Sequence, residues 1–401
     1  MSQAGYEPVV RGYLMLGLRL GRLVDGFVDC FFGAADLARQ VAEEPTPVPA
    51  ELAEQASRLL AELDGSGLDE SRQHFLSAQL TALECVAKKL AGQQLSFGAE
   101  IRDYFQVEIA MGDPDHYASV HDAIGELLPG TGELRARLDA YDERNSIPPD
   151  KLRPAVQAVS DELRTRAGPL FGLPSAERVD YEVVHGKPWH AFNRYLGDFH
   201  SRVALNDEAG RAVAALPTIV THESYPGHHT DHCLKEAGLV RGRGHGEQQI
   251  ALVNTPQCLI SEGMAELALT AVMGEGWGAW TAEILTNVGV HSDGELTERL
   301  LALIKQLLPA RQDAAIMLHD RKVAADDVTD YLRRWLLLPG DRAEHMVRFL
   351  TDPLWRAYTV TYIEGARLVG SWLAARPKGP GMPHSSPRMA KSLLRSILNP
   401  A

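Results

Sequence analysis

Four histidines, His222, His228, His229 and His232, fall within one short stretch of a chain that holds 15 histidines in 401 residues. Chance is a poor account of that density. His222 is followed directly by Glu223. A His-Glu pair on a helix, with another histidine downstream, is how zinc hydrolases place two imidazoles on the metal and a carboxylate beside its water. Glu223 is then the general base. The usual second histidine, four residues after the first, is replaced here by Pro226. In a regular helix His229 would return to the face of His222 but lie about 10.5 Å along the axis, too far for shared coordination. Tyr225-Pro226-Gly227 must therefore break the helix, since proline removes a helical hydrogen bond and glycine accepts unusual dihedrals. His228 and His229 both stand as candidates for the second ligand, with a two-residue bulge slightly favouring His228.

A third protein ligand is expected from Ser261-Glu262-Gly263-Met264-Ala265-Glu266, within an otherwise apolar helix. Glu262 and Glu266 are one turn apart and share a face, so Glu262 can bind the metal while Glu266 supports a ligand histidine from behind. Two histidines, one glutamate and an open position compose a catalytic zinc site with one ion per chain. Tyr358 and Tyr362 are candidates to hydrogen-bond a developing oxyanion, although their spacing equally suits a core stripe. Asn193 and Tyr195, in an aromatic stretch, are candidates for substrate binding, Tyr358 being another.

The elements that must position these residues are mostly helical. Tyr13, Leu16, Leu20, Leu23, Phe27 and Phe31 recur at steps of three and four, which predicts one amphipathic helix ended by Gly33. Further stripes run through Leu52, Ala56, Leu59 and Leu63, through Leu76, Leu80, Leu83, Ala87 and Leu90, and from Leu152 to Leu163. After Gly172-Leu173-Pro174 the alternation of Val179, Tyr181 and Val183 with Asp180 and Glu182 predicts a strand, and a second is expected from Arg202 to Leu205. The aromatic run 188–197 between them reads as a packed connection. From Leu216 to about Ala375 the pattern is helical again, with breaks at Gly274-Glu275-Gly276, Leu338-Pro339-Gly340 and Asp352-Pro353. These signals divide the chain into a helical lobe (1–172), a zinc-binding region (173–375) and a Pro/Gly-rich linker with a short basic helix (376–401), whose Met389, Leu393 and Ile397 would dock on the protein.

Composition narrows the class. An apolar content of 45% supports a sizeable core, and a net charge of −13 lacks the basic footprint that nucleic acids require. Cys30, Cys85, Cys233 and Cys258 form no Cys-x-x-Cys pair and read as reduced core residues. No stretch reads as a signal peptide or membrane span, so the expectation is a cytoplasmic protein that neither binds membranes nor nucleic acid.

The stretch His222-Glu223-Ser224-Tyr225-Pro226-Gly227-His228-His229 resembles the hallmark of domain-of-unknown-function family 885, bacterial metallopeptidase-like proteins related to the gluzincins. Leu23-Val24-Asp25-Gly26-Phe27-Val28-Asp29 with Phe32-Gly33, the segment from Pro188 to Gly197, Glu262-Gly263, and Tyr362 with Gly365 are similar to it as well. The likeness thus spans the chain to about residue 375. It implies a mainly α, multi-helical gluzincin-like fold with a small antiparallel sheet beside the metal-binding helix, and hydrolysis of a peptide substrate. In that scheme His222 and one of His228 and His229 bind zinc, Glu262 is the third ligand, Glu223 activates the water and Tyr362 steadies the oxyanion. The chain is shorter than many members, and Met264 stands where an aromatic often follows the Glu-Gly pair. Two rival readings are a non-catalytic metal- or peptide-binding helical protein and a non-haem iron enzyme, whose usual His-x-carboxylate spacing differs from the adjacent His222 and Glu223.

Overall fold

The stripe of Tyr13, Leu16 and Leu20 forms helix α1 (Pro8–Gly21), opened by Pro8 where no helical hydrogen bond is lost, and these three side chains are buried. The computed structural model describes residues 6–187, 189–207 and 212–375; the expected linker and basic helix of 376–401 lie outside the described residues. After α1 come strand β1 (Val28–Phe31) and helices α2 (Ala35–Glu43), α3 (Pro49–Glu62), α4 (Glu70–Leu90), α5 (Phe97–Phe105), α6 (Pro114–Leu127), α7 (Leu134–Arg144) and α8 (Pro149–Phe171). Strands β2 (Arg178–Val184), β3 (Ala191–Gly197) and β4 (His200–Asn206) follow, then helices α9 (Ala215–Glu223) and α10 (His228–Leu234), which continues into a π-helical turn, Lys235–Arg241. A 3-10 turn and strand β5 (Ile250–Leu252) lead to α11 (Pro256–Met273), α12 (Trp277–Asn287), α13 (Gly294–Leu307), α14 (Pro309–His319), α15 (Ala325–Trp335), α16 (Gly340–Thr351) and α17 (Thr359–Ala374). The chain is mainly helical, as expected.

The structure departs from the sequence reading near its start. The expected helix stops at Gly21, because Gly26 turns the chain with φ +79°, and the next residues form β1, which pairs antiparallel with β5. Leu23, Phe27 and Phe31 continued the helical spacing by coincidence. The aromatic run is likewise no mere connection: residues 191–197 form β3, which pairs antiparallel with β4, while β2 joins β4 in parallel. The sheet order is β2-β4-β3, leaving β3 at an edge. Its alternating burial, with Asn193 and Tyr195 inside and Phe192 and Leu196 outside, is the strand period that the aromatic content hid.

Two apolar clusters carry most of the packing. One joins buried residues of α1, α3, α4 and α5 to those of α14, α15 and α16, so the two ends of the described chain share a core. The other joins α8, β4, α9, α11 and α12. Among the described residues no helix is long and apolar enough to cross a membrane.

Candidate metal centre

The segment that carries the histidines breaks where glycine permits it. A Cβ at Gly227 would sit 1.9 Å from the carbonyl oxygen of His222 and 2.3 Å from that of Thr221, so no larger residue fits there. The Gly227 amide donates to the Thr221 carbonyl at 2.9 Å, six residues back, and this wide turn ends α9 and starts α10. The helix is thereby doubled back enough for His228 to face His222, their rings 4.7 Å apart and nearly perpendicular.

Glu262 reaches the same point from α11. His222 Nε2 lies 3.1 Å from His228 Nε2 and 3.2 Å from Glu262 Oε2, and His228 Nε2 lies 3.3 Å from Glu262 Oε1. A tetrahedral zinc with bonds near 2.0–2.1 Å sets its ligand atoms roughly 3.3 Å apart. The two imidazole nitrogens and the nearer carboxylate oxygen of each are thus spaced much as one such ion would space its ligands. Glu262 Oε2 is buried and accepts no well-formed hydrogen bond among the described residues, while Oε1 accepts one from the Tyr358 hydroxyl at 2.8 Å. A buried carboxylate with one oxygen 3.2 Å from one imidazole nitrogen and the other 3.3 Å from a second fits a bound cation.

The outward nitrogens of both rings have partners. His222 Nδ1 lies 3.6 Å from Glu266 Oε1. His228 Nδ1 lies 3.3 Å from Ser261 Oγ, which donates to Asp231 Oδ2 at 3.2 Å; Lys235 in turn donates to Asp231. These contacts turn Nε2 of each ring toward the centre. Ser261, Asp231 and Lys235 escaped the sequence reading, though Ser261 beside Glu262 and Asp231 one turn after His228 were the available signals.

Burial and charge act together here. Burial pushes the His228 imidazole down, but Glu262, Glu223 and Asp29 outweigh it and raise it to about 9. The His222 imidazole is also raised, burial being outweighed chiefly by Glu262. Glu262 is held far below the usual carboxylate range because the two histidines overcome its burial. Burial raises the Glu223 carboxyl, with His222 and His228 opposing.

His229 does not join this centre. It is fully buried on the other side of α10, with Nε2 2.9 Å from Glu177 Oε2 and Nδ1 2.8 Å from Ser201 Oγ. The expectation of a ligand role for His229 is corrected accordingly: one helical step from His228 turns its ring about 100° away, into the sheet. Tyr195 is no substrate contact either. Its hydroxyl donates to Glu236, and its buried ring stacks on His232 at 4.7 Å. Asn193 acts on the site from beneath, its Nδ2 donating to the Glu223 carbonyl at 2.6 Å and so satisfying an end carbonyl of α9. Tyr358 donates its hydroxyl to Glu262 Oε1 at 2.8 Å and so supports that carboxylate. The Tyr362 ring lies 6.3 Å from that of His222 and 5.5 Å from that of Tyr358.

Helices α11 and α17 come into backbone contact to make this possible. A Cβ at Gly263 would sit 2.2 Å from the carbonyl carbon of Gly365, and one at Gly365 would sit 2.3 Å from the Leu259 oxygen. Glycine at both positions lets Glu262 sit beside Tyr358 and Tyr362.

No protein-family model matches the chain, and no curated protein matches it. Among solved structures that share its fold are two bacterial proteins. A protein of Colwellia psychrerythraea, described as a candidate lipoprotein, aligns with TM-score 0.51 at 15% identity, over 87% of this chain and 67% of the other. A candidate lipoprotein of unknown function from Shewanella oneidensis aligns with TM-score 0.50 at 12% identity, over 90% of this chain and 76% of the other. At these identities the likeness extends to the fold alone.

Proposed function

We propose that this chain is a zinc-dependent hydrolase of peptide bonds, with the gluzincin-like character that its motif resembles. The spacing of His222 Nε2, His228 Nε2 and the Glu262 carboxylate, 3.1 to 3.3 Å apart, carries the reading. Zinc, when bound by these three groups, would polarise a water and the scissile carbonyl. Glu223 accepts the proton of the attacking water on its carboxylate and delivers it to the leaving amine. Its burial next to two histidines suits that exchange, since the raised carboxyl is a better base than an exposed one. Tyr362, whose hydroxyl burial keeps protonated, donates to the developing oxyanion. Edge strand β3 touches the end of α9 through Asn193, so an extended peptide added to that edge runs past Glu223.

Glu223→Gln keeps size and hydrogen bonding but cannot take the proton. The variant should fold and hold zinc like the wild type while losing most chelator-sensitive cleavage of a peptide library, read by mass spectrometry. Wild-type cleavage by Glu223→Gln would overturn the reading. A marked loss of metal in that variant would make Glu223 a ligand and favour an iron-enzyme site; no cleavage by the wild type would leave a metal-binding scaffold.

A cytoplasmic place of action belongs to the same proposal and rests on four free cysteines, three of them buried. The lipoprotein description of the two structural neighbours points instead to a membrane anchor outside the cytoplasm. Fractionation of native cells decides between the two.

A further inference from the structure

His232 is left without a role by the centre described above. It stands one turn beyond His228 on the same face of α10, about 6 Å further along the axis. Its ring is buried and held flat against Tyr195 at 4.7 Å and 17°. The Nδ1 atom faces the buried Cys30 thiol, at 4.0 Å from Sγ. The Asp29 carboxylate completes a group whose donor atoms all lie within 4.8 Å of one another.

Neighbours in a regular strand point to opposite faces, so Asp29 and Cys30 should not meet one ligand. Strand β1 is irregular at this point: Val28 pairs with Leu252 and Cys30 with Ala251, so Asp29 is an extra residue opposite none. A bulge of this kind abolishes the alternation and re-aims a side chain. It brings both residues to the same side, facing α10.

We infer that Asp29, Cys30 and His232 form a second zinc site, one helical turn along α10 from the first. A thiolate, an imidazole and a carboxylate suit zinc and not magnesium or calcium, which take oxygen ligands. Tetrahedral zinc sets its ligand atoms roughly 3.3 to 3.6 Å apart, so Cys30 and His232, now 4.0 Å apart, need to close by only about half an ångström, and the Asp29 carboxylate, within 4.8 Å of both, by about 1.5 Å at most. On binding, the Cys30 thiol releases its proton to solvent as the sulfur–zinc bond forms; burial keeps that proton on in the metal-free state. Burial also lowers the His232 imidazole to about 3, so its ring is neutral and ready to ligate. The site does not depend on the hydrolase reading, since it shares no ligand with the first centre.

The test uses the full chain loaded with zinc or with cobalt(II), which reports thiolate ligation by a near-ultraviolet charge-transfer band. The first centre contains no sulfur, so the band belongs to the second. The wild type should hold two zinc ions and, with cobalt, show the band. Cys30→Ser should hold one zinc and lose the band; His222→Ala should also hold one but keep it. Where Cys30→Ser fails to fold, Asp29→Asn serves instead and should lower the content toward one. Absence of the band in the wild type, or a band and two-zinc content unchanged in Cys30→Ser, would overturn the second site. A wild type that shows the band but holds one zinc, unaltered by His222→Ala, supports the second site and removes the first, so the two readings fail separately.

Discussion

His229 and Glu177 form a buried hydrogen-bonded pair one residue away from His228, on the other side of α10. Glu177 also accepts hydrogen bonds from Tyr225, in the turn between α9 and α10, and from Arg164 on α8. It ties the helix break to the helix behind it. Burial alone would raise the Glu177 carboxyl, but bonds from His229, Tyr225 and Arg164 hold it at about 2. A carboxylate depressed from 4.5 contributes stability that is fully present above pH 4.5 and is lost as pH falls toward 2, where the unfolded chain binds the proton first. Glu177→Gln removes that titration. Denaturant unfolding measured between pH 5 and pH 2 should show a shallower decline in the variant, from a lower starting stability, with zinc content at neutral pH unchanged. Parallel declines in the two proteins would mean that Glu177 is not the acid-sensitive tie. From sequence, His228 and His229 were adjacent and chemically identical. Only the dihedrals of Tyr225-Pro226-Gly227 decide which ring faces His222, and residue spacing does not encode them.

The helices and strands show where periodic patterns inform and where they mislead. Stripes in α3, α4 and α8 are legible because each spans several turns against one core. Strand β1 was hidden because Phe27 and Phe31 keep helical spacing although Gly26 has already turned the chain, and β3 was hidden by its large residues on both faces. The Glu262 and Glu266 pair was legible as a helical face, whereas its meeting with α17 depends on glycines that carry no chemistry. Gly263→Ala should put a methyl group into the Gly365 backbone, which cannot yield as a side chain would. Overpacking of this kind costs about 1–3 kcal/mol or more. Separating α11 from α17 should also weaken zinc retention, since Tyr358 then loses its hold on Glu262. Gly168→Ala is the control: it lies in α8 with nothing within 4 Å of the added Cβ, and should be neutral or stabilising. Equal stabilities for the two variants would show that the close approach of α11 and α17 does not matter.

At the scale of the molecule, the first centre gathers α9, α10 and α11, and the second joins α10 to β1, so each ion would bridge segments far apart in sequence. A ligand that binds only the folded state stabilises it by RT ln(1 + [L]/Kd), about 2.7 kcal/mol at a free concentration of 100 Kd. For domains of 150–250 residues each kcal/mol moves the melting temperature by about 2–4 °C, and by less in longer chains. Zinc removal with a chelator should therefore lower the melting temperature by several degrees, and the shift should grow with the free zinc concentration before chelation. His222→Ala should keep only the share of the β1–α10 site, Cys30→Ser only that of the first centre. The double variant should melt at one temperature with or without zinc. The outcome that defeats this picture is a wild-type melting temperature indifferent to chelator, because donor atoms collected from β1, α9, α10 and α11 cannot bind an ion in the folded state alone without stabilising that state.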